Sequence, residues 1–256
     1  THILTLDFLR HTQCPHSNPD FRGLIVRRTF PQLSQPGALL DHCKSMYGPY
    51  GATYNHTRAE FTFPCGAKIA LGTCQFQKNL DDYQGSQIDY LAVDEATQWP
   101  LQFVQYLWGR CRSKSGVKPR LRLSCNPDSM SWLYRFLYCL LDPETGCPIP
   151  ERLGVIRYFR YVDPEFVWYD EPQYEMNSIT GEEECVTTSA AFIGATLKDN
   201  EHLLKSDPGY RQRLEQLSEQ ERQRFLEGSW LGSSQTGTEW PRELFTGVYI
   251  PIEKFP

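Results

Sequence analysis

Apolar and polar positions fall into short blocks along this chain, and the blocks predict helices and strands in turn. Residues 1–11 set Ile3, Leu4, Leu6, Phe8 and Leu9 among polar neighbours, the pattern of a short, largely buried helix. With no cap before it, that helix reads as cut. Leu24-Ile25-Val26 reads as a buried strand ending in Arg27-Arg28, and residues 33–47 as a helix after Pro31. Residues 58–63 and 67–71 are β-prone and flank Pro64-Cys65-Gly66, a hairpin signal. Residues 100–108 form a helix with proline at its start, where a missing N–H costs little. Residues 120–125 form a strand, 132–140 a helix, and 155–161 another strand. The acidic stretch 163–186 is an excursion or hairpin, after which residues 189–196 return to the sheet. Helices over 208–217 and 218–226 follow. The second opens on the capping-box pattern Ser218-x-x-Glu221 and closes at Gly228. Strands alternating with helices predict an α/β fold with a mostly parallel, doubly wound sheet.

One block carries chemistry. Ile88-Asp89-Tyr90-Leu91-Ala92-Val93 is apolar and β-prone, and it runs into Asp94-Glu95. Side chains at the carboxyl end of a buried parallel strand emerge into a crevice where ligands bind. The first acid there can hold Mg²⁺ and the second can polarise an attacking water. The same pair also fits a helix that opens on Asp and Glu for capping and dipole reasons.

The 256 residues suffice for one large α/β domain plus a small appendage. A net charge of −5 excludes a polyanion binder whose whole surface is basic, but it leaves room for a local basic patch. The clear basic cluster is Arg110, Arg112, Lys114, Lys118, Arg120 and Arg122. It suits either DNA phosphates or a solvated loop, and alternation points Arg120 and Arg122 to one face. No window is apolar enough to span a bilayer, and no signal-peptide pattern opens the chain. Nine scattered cysteines without a Cys-x-x-Cys pair read as free thiols in a reducing compartment. Cys14-Pro-His16 reads as loop, not as a metal pair.

The order of the pieces resembles the ATPase part of the large terminase subunit, the motor that packages DNA in tailed bacteriophages. The likeness rests on a series: Leu24-Ile25-Val26-Arg27-Arg28-Thr29, Tyr83-Gln84-Gly85, Val93-Asp94-Glu95-Ala96-Thr97, Arg110-x-Arg112 and Ser124-Cys125-Asn126-Pro127. It continues with Ala195-Thr196-Leu197-Lys198-Asp199-Asn200, Tyr210-x-x-x-Leu214 and Arg224-Phe225-Leu226-Glu227-Gly228-Ser229-Trp230.

The resemblance implies a P-loop NTPase-like fold with a small C-terminal helical subdomain. It divides the chain into an ATPase core over 1–200, a helical linker subdomain over 201–230 and a linker over 231–256 toward an absent nuclease. It makes Asp94 the Mg²⁺-holding acid of the Walker B strand and Glu95 the catalytic carboxylate. Ser124, Cys125 and Asn126 fall on the coupling motif that senses the γ-phosphate, although Asn126-Pro127 is also a common turn. Thr1 would be the last residue of the phosphate loop, its hydroxyl on Mg²⁺, or else only a helix cap. The implied cofactors are ATP and Mg²⁺. The implied partners are double-stranded DNA, a small terminase subunit, the portal protein and other copies of the chain, in the host cytoplasm.

Two departures stand out. No Gly-x-x-x-x-Gly-Lys-Ser/Thr loop occurs in the chain, which alone is therefore expected to bind ATP weakly or not at all. Gln84 stands where many relatives carry an arginine, so a finger would come from elsewhere. Arg110 and Arg112 are substitutes, as are Arg27 and Arg28, although helix-end charges explain the first pair equally. The rival readings are a helicase-like ATPase and a non-catalytic DNA-binding or assembly module with a degenerate nucleotide fold.

Overall fold

A computed structural model describes residues 2–12 and 18–231. Thr1, the Cys14-Pro-His16 triplet and the 232–256 segment lie outside the described residues. The chain divides into two compact units between Asn126 and Pro127, well before the boundary at residue 200 implied by the resemblance.

The first unit opens with helix α1 (His2–Phe8), extended by a 3₁₀ turn, Leu9–His11. Strand β1 (Arg22–Arg27) follows, then helices α2 (Phe30–Ser34) and α3 (Leu39–Tyr47). The single helix expected over 33–47 is thus broken, because Pro36-Gly37 interrupts the ladder and Gly37 takes a positive φ of 75°. Strands β2 (Thr53–Asn55), β3 (Glu60–Thr62) and β4 (Lys68–Thr73) come next. They are followed by β5 (Tyr90–Val93), helix α4 (Leu101–Trp108) and β6 (Arg120–Leu123). The sheet order is β2-β3-β4-β1-β5-β6. Strands β4, β1, β5 and β6 are parallel, while β2 and β3 add an antiparallel edge, so the 64–66 turn is a hairpin as its residues predict.

The sheet's two faces sort the side chains of β1. Ile25 joins Leu4, Phe8, Leu39, Cys43, Tyr47, Tyr90 and Ala92 in the buried core under α1 and α3. Leu24 faces the other way, toward Tyr83. Two polar ties fix the α1 side. The Tyr47 hydroxyl donates to the Thr5 carbonyl at 3.0 Å, and the Tyr90 hydroxyl to Asp7 Oδ2 at 2.7 Å. The Arg122 guanidinium reaches the same oxygen at 2.9 Å, so Arg122 is engaged within the fold and is withdrawn from the basic cluster.

The second unit departs from the expected doubly wound sheet. Helix α5 (Trp132–Leu137) leads to β7 (Arg157–Val162) and β8 (Glu165–Tyr169), then to the hairpin β9 (Tyr174–Met176) and β10 (Glu183–Cys185), and to β11 (Thr188–Ala190). Strands β7, β8 and β11 form their own antiparallel sheet, order β11-β7-β8, so neither residues 155–161 nor 189–196 extend the parallel one. The physical reason is the aromatic face of β7 and β8. Phe159, Phe166 and Trp168 pack with Phe136 of α5 at centroid distances of 4.8–4.9 Å.

Helices α6 (Glu201–Ser206), α7 (Gly209–Glu215) and α8 (Glu219–Arg222) close the unit. The Ser218–Glu221 capping box forms as its spacing predicts, and Gly228, at φ 73°, ends the last turn. Trp230 is then buried, its N–H donating to the Gly146 carbonyl at 3.0 Å.

All eight described cysteines are free thiols. Burial pushes Cys43 up to about 12, with the Asp94 charge adding to it, and pushes Cys111 to about 12 and Cys74 to about 11. These three are expected to resist a thiol reagent at pH 8 in the folded chain while exposed Cys185 reacts. Mass-mapped labelling checks this, and early labelling of Cys43 would contradict the packing. No described helix is long and apolar enough to cross a membrane.

Candidate functional site

Strand β5 delivers Asp94 and Glu95 to the carboxyl edge of the sheet. The Asp94 N–H donates to the Val26 carbonyl at 2.9 Å, extending the parallel ladder one residue past the strand. Its side chain is buried, at 1% exposure. The Ser124 hydroxyl, just beyond β6, donates to Asp94 Oδ1 at 2.6 Å. Arg27, at the end of β1, places its Nε 3.5 Å from Oδ2. The two strands flanking β5 thus each contribute one polar group to one carboxylate.

Glu95 adopts a left-handed backbone, φ 54° and ψ 52°. That conformation costs a non-glycine residue about 1–2 kcal/mol, and such strain gathers where function demands it. Three bonds hold the turn. The Ala96 N–H donates to the Ser124 carbonyl at 2.8 Å, and the Gln98 N–H to the Glu95 carbonyl at 2.9 Å. The Trp99 indole N–H donates to the Asp94 carbonyl at 3.3 Å. The Asn126 amide then donates to Glu95 Oε2 at 3.4 Å. Glu95 makes no side-chain cap bond to the 3₁₀ turn after it, and α4 begins only at Leu101, so the helix-capping alternative fails.

Four residues singled out from sequence therefore converge: Asp94, Glu95, Ser124 and Asn126. Thr1 lies outside the described residues. Arg110 and Arg112 do not join them. The Ile88 N–H, ahead of β5, donates to the Arg110 carbonyl at 3.3 Å, which puts both arginines at the amino end of the sheet. Extended chain from Ile88 to Asp94 covers roughly 20 Å, so within one subunit neither reaches the carboxylates. Arg110 instead lies over the Tyr106 ring at 4.6 Å.

The arginines ending β1 part company. Arg27 faces Asp94, whereas Arg28 donates to the Cys74 carbonyl at 2.9 Å and lies over the Phe103 and Trp99 rings at 5.2 and 5.9 Å. Arg28 and Trp99 form a prop under the turn that sequence reading does not anticipate.

Arg27 offsets the buried Asp94 charge. Arg27→Gln is expected to destabilise the chain by about 1–3 kcal/mol, because removing one partner leaves the other charge underpaired. Urea denaturation measures it. Unchanged stability would show that the carboxylate does not depend on Arg27.

Among the described residues, no group of three or more His, Cys, Asp or Glu side chains could hold a metal. The donors at hand are the Asp94 carboxylate and the Ser124 hydroxyl. That sparse, all-oxygen set fits Mg²⁺, which keeps several waters and binds through one or two carboxylates plus substrate phosphates.

An acidic pair at the end of a central parallel strand, with a polar strand end beside it, stands at the edge where open α/β sheets bind their ligands. The chain belongs to the large terminase subunit family: the family model "terminase large subunit, T4likevirus-type, N-terminal" matches residues 25–247. Among solved structures, the large terminase of a thermophilic bacteriophage in complex with ADP is similar at 17% identity and a TM-score of 0.52, over 89% of this chain and 44% of that one. The same phage protein in complex with ATP-gamma-S gives 16%, a TM-score of 0.49 and the same coverage. The N-terminal domain of the DNA packaging ATPase from bacteriophage phi29 gives 9% and a TM-score of 0.40, over 58% of this chain and 78% of that one. The chain thus spans less than half the length of the thermophilic phage's terminase. No curated protein matches it.

Proposed function

We propose that this chain supplies the water-activating face of an ATP-driven DNA-packaging motor. The support is the division of labour at one strand end: Ser124 touches the first carboxylate and Asn126 the second. Asp94, with Ser124 beside it, would hold Mg²⁺, which when bound neutralises charge on the phosphates. Glu95 accepts the proton of the attacking water, and Asn126 fixes the orientation of its carboxylate. Any rearrangement at the phosphate is then felt by β6 through both contacts, a coupling route from hydrolysis to movement. The thermophilic phage's terminase, solved in complex with ADP, supports a nucleotide as the ligand.

The partners of this reading are double-stranded DNA, a small terminase subunit, the portal protein and further copies of the chain. A phosphoryl-transfer role for Arg110 or Arg112 would be exerted on a neighbouring copy's site, since their own lies out of reach. The competing reading, a non-hydrolysing module on a degenerate nucleotide fold, needs no proton acceptor at position 95. ATP turnover by the complete subunit, with Glu95 intact and replaced by glutamine, separates the two.

A further inference from the structure

The stretch from Ala96 to Pro127 contains no Asp or Glu, in a chain of net charge −5, yet holds Arg110, Arg112, Lys114, Lys118, Arg120 and Arg122. The structure sorts these cations. Arg122 pairs with Asp7, and Arg110 lies on Tyr106. The other four sit at exposed positions between α4 and the first residue of β6, and exposure alternates through 112, 114, 116, 118 and 120.

The intervening positions face inward and anchor the loop. Val117 packs against the core, Ser113 and Ser115 share a hydrogen bond at 3.1 Å, and the Asn18 amide donates to the Ser115 carbonyl at 2.9 Å. The Arg120 N–H donates to the Asp89 carbonyl at 3.1 Å. A pinned backbone therefore presents Arg112, Lys114, Lys118 and Arg120 outward, and none of them has an ion-pair partner among the described residues.

We infer that this ladder is a sequence-independent contact for the phosphate backbone of double-stranded DNA. Its composition distinguishes DNA from an acidic protein. Protein interfaces centre on aromatic and apolar anchors and are poor in lysine, whereas the outward positions here are cations and Gly116. Lysine and arginine that neutralise phosphates supply affinity without reading bases. The placement also gives the contact a mechanical meaning. The β6 strand starts at Arg120 and runs straight to Ser124, roughly 13 Å of extended chain. One strand thereby joins the ladder to the residues that touch Asp94 and Glu95. This inference rests on the DNA-handling reading above.

The test is fluorescence anisotropy of the 256-residue chain on a labelled random-sequence duplex across a salt series. Replacing all four residues by glutamine is expected to weaken binding at least tenfold (~10×) near 0.1 M salt. It should also flatten the slope of log K against log salt by about 3 to 4, close to one for each phosphate no longer neutralised. Because the quadruple variant removes charge from one loop, Lys114→Gln and Lys118→Gln are also measured singly, each expected to remove about one unit of slope. A Lys205→Gln/Arg211→Gln variant, in the helices of the second unit, should bind as the parent does. Unchanged affinity and slope in the quadruple and single variants would overturn the assignment. So would equal weakening in the Lys205/Arg211 control, or preferential binding of polyglutamate over DNA. Hydrolysis is read separately: abolished turnover in Glu95→Gln with no ladder effect would leave the motor reading intact and reject only this surface.

Discussion

Glu95→Gln is expected to lower ATP turnover by the complete subunit about 10²–10⁴-fold, the range for removing a positioned general base. The substitution keeps size and shape, so the Asn126 contact and the left-handed turn should survive. Nucleotide affinity should stay within a few-fold, because the proposed role of Glu95 is toward the attacking water and not toward phosphate. Thermal melting of the variant should match the parent, separating lost chemistry from lost structure. Turnover above about a tenth of the parent would reject Glu95 as the proton acceptor.

Trp99→Ala has the largest expected effect on stability. Trp99 is buried at 2% exposure, bonds the Asp94 carbonyl through its indole N–H and carries the Arg28 guanidinium over its ring. Truncating a buried tryptophan costs about 3–5 kcal/mol, a large share of the roughly 5–15 kcal/mol that holds a domain together. Urea denaturation of the chain should show that deficit. Trp99→Phe should recover part of it, since one aromatic ring is restored while the second ring and the hydrogen bond are missing. A cost below about 1 kcal/mol for Trp99→Ala would mean that the turn carrying Glu95 is held by other groups.

The parallel half of the fold was legible because its strands are short apolar runs bounded by turn residues. Leu24-Ile25-Val26, Leu91-Ala92-Val93 and the Pro64-Cys65-Gly66 hairpin all fall where their chemistry places them. The same holds for the Ser218–Glu221 capping box and Gly228, whose signals are local. The pairing of β7 and β11 was not legible. An alternating aromatic strand shows which face is buried, but not which partner it joins or in which direction. The three-residue polar strand β2 carries no pattern of its own.

At the site, the two acids and the polar strand end could be read from order alone, but their geometry could not. The Arg27–Asp94 contact follows from the register that sets Val26 beside Val93, a relation between residues far apart in sequence. Period-two alternation from Ile25 then places Arg27, and not Arg28, on the face of Asp94. The Arg122–Asp7 pair was hidden for the same reason, since nothing near Arg122 names its partner. The left-handed conformation of Glu95 had no sequence signal, because glycine or asparagine would ordinarily announce such a turn.

Anomalous diffraction from crystals of the complete subunit, grown with Mn²⁺ and a non-hydrolysable ATP analogue, decides whether this strand end is the hydrolytic site. A metal peak is expected at Asp94, bound directly or through one water, with a water hydrogen-bonded to Glu95 in line with the terminal phosphate. A metal and phosphate bound elsewhere, with Asp94 still held between Ser124 and Arg27, would contradict it.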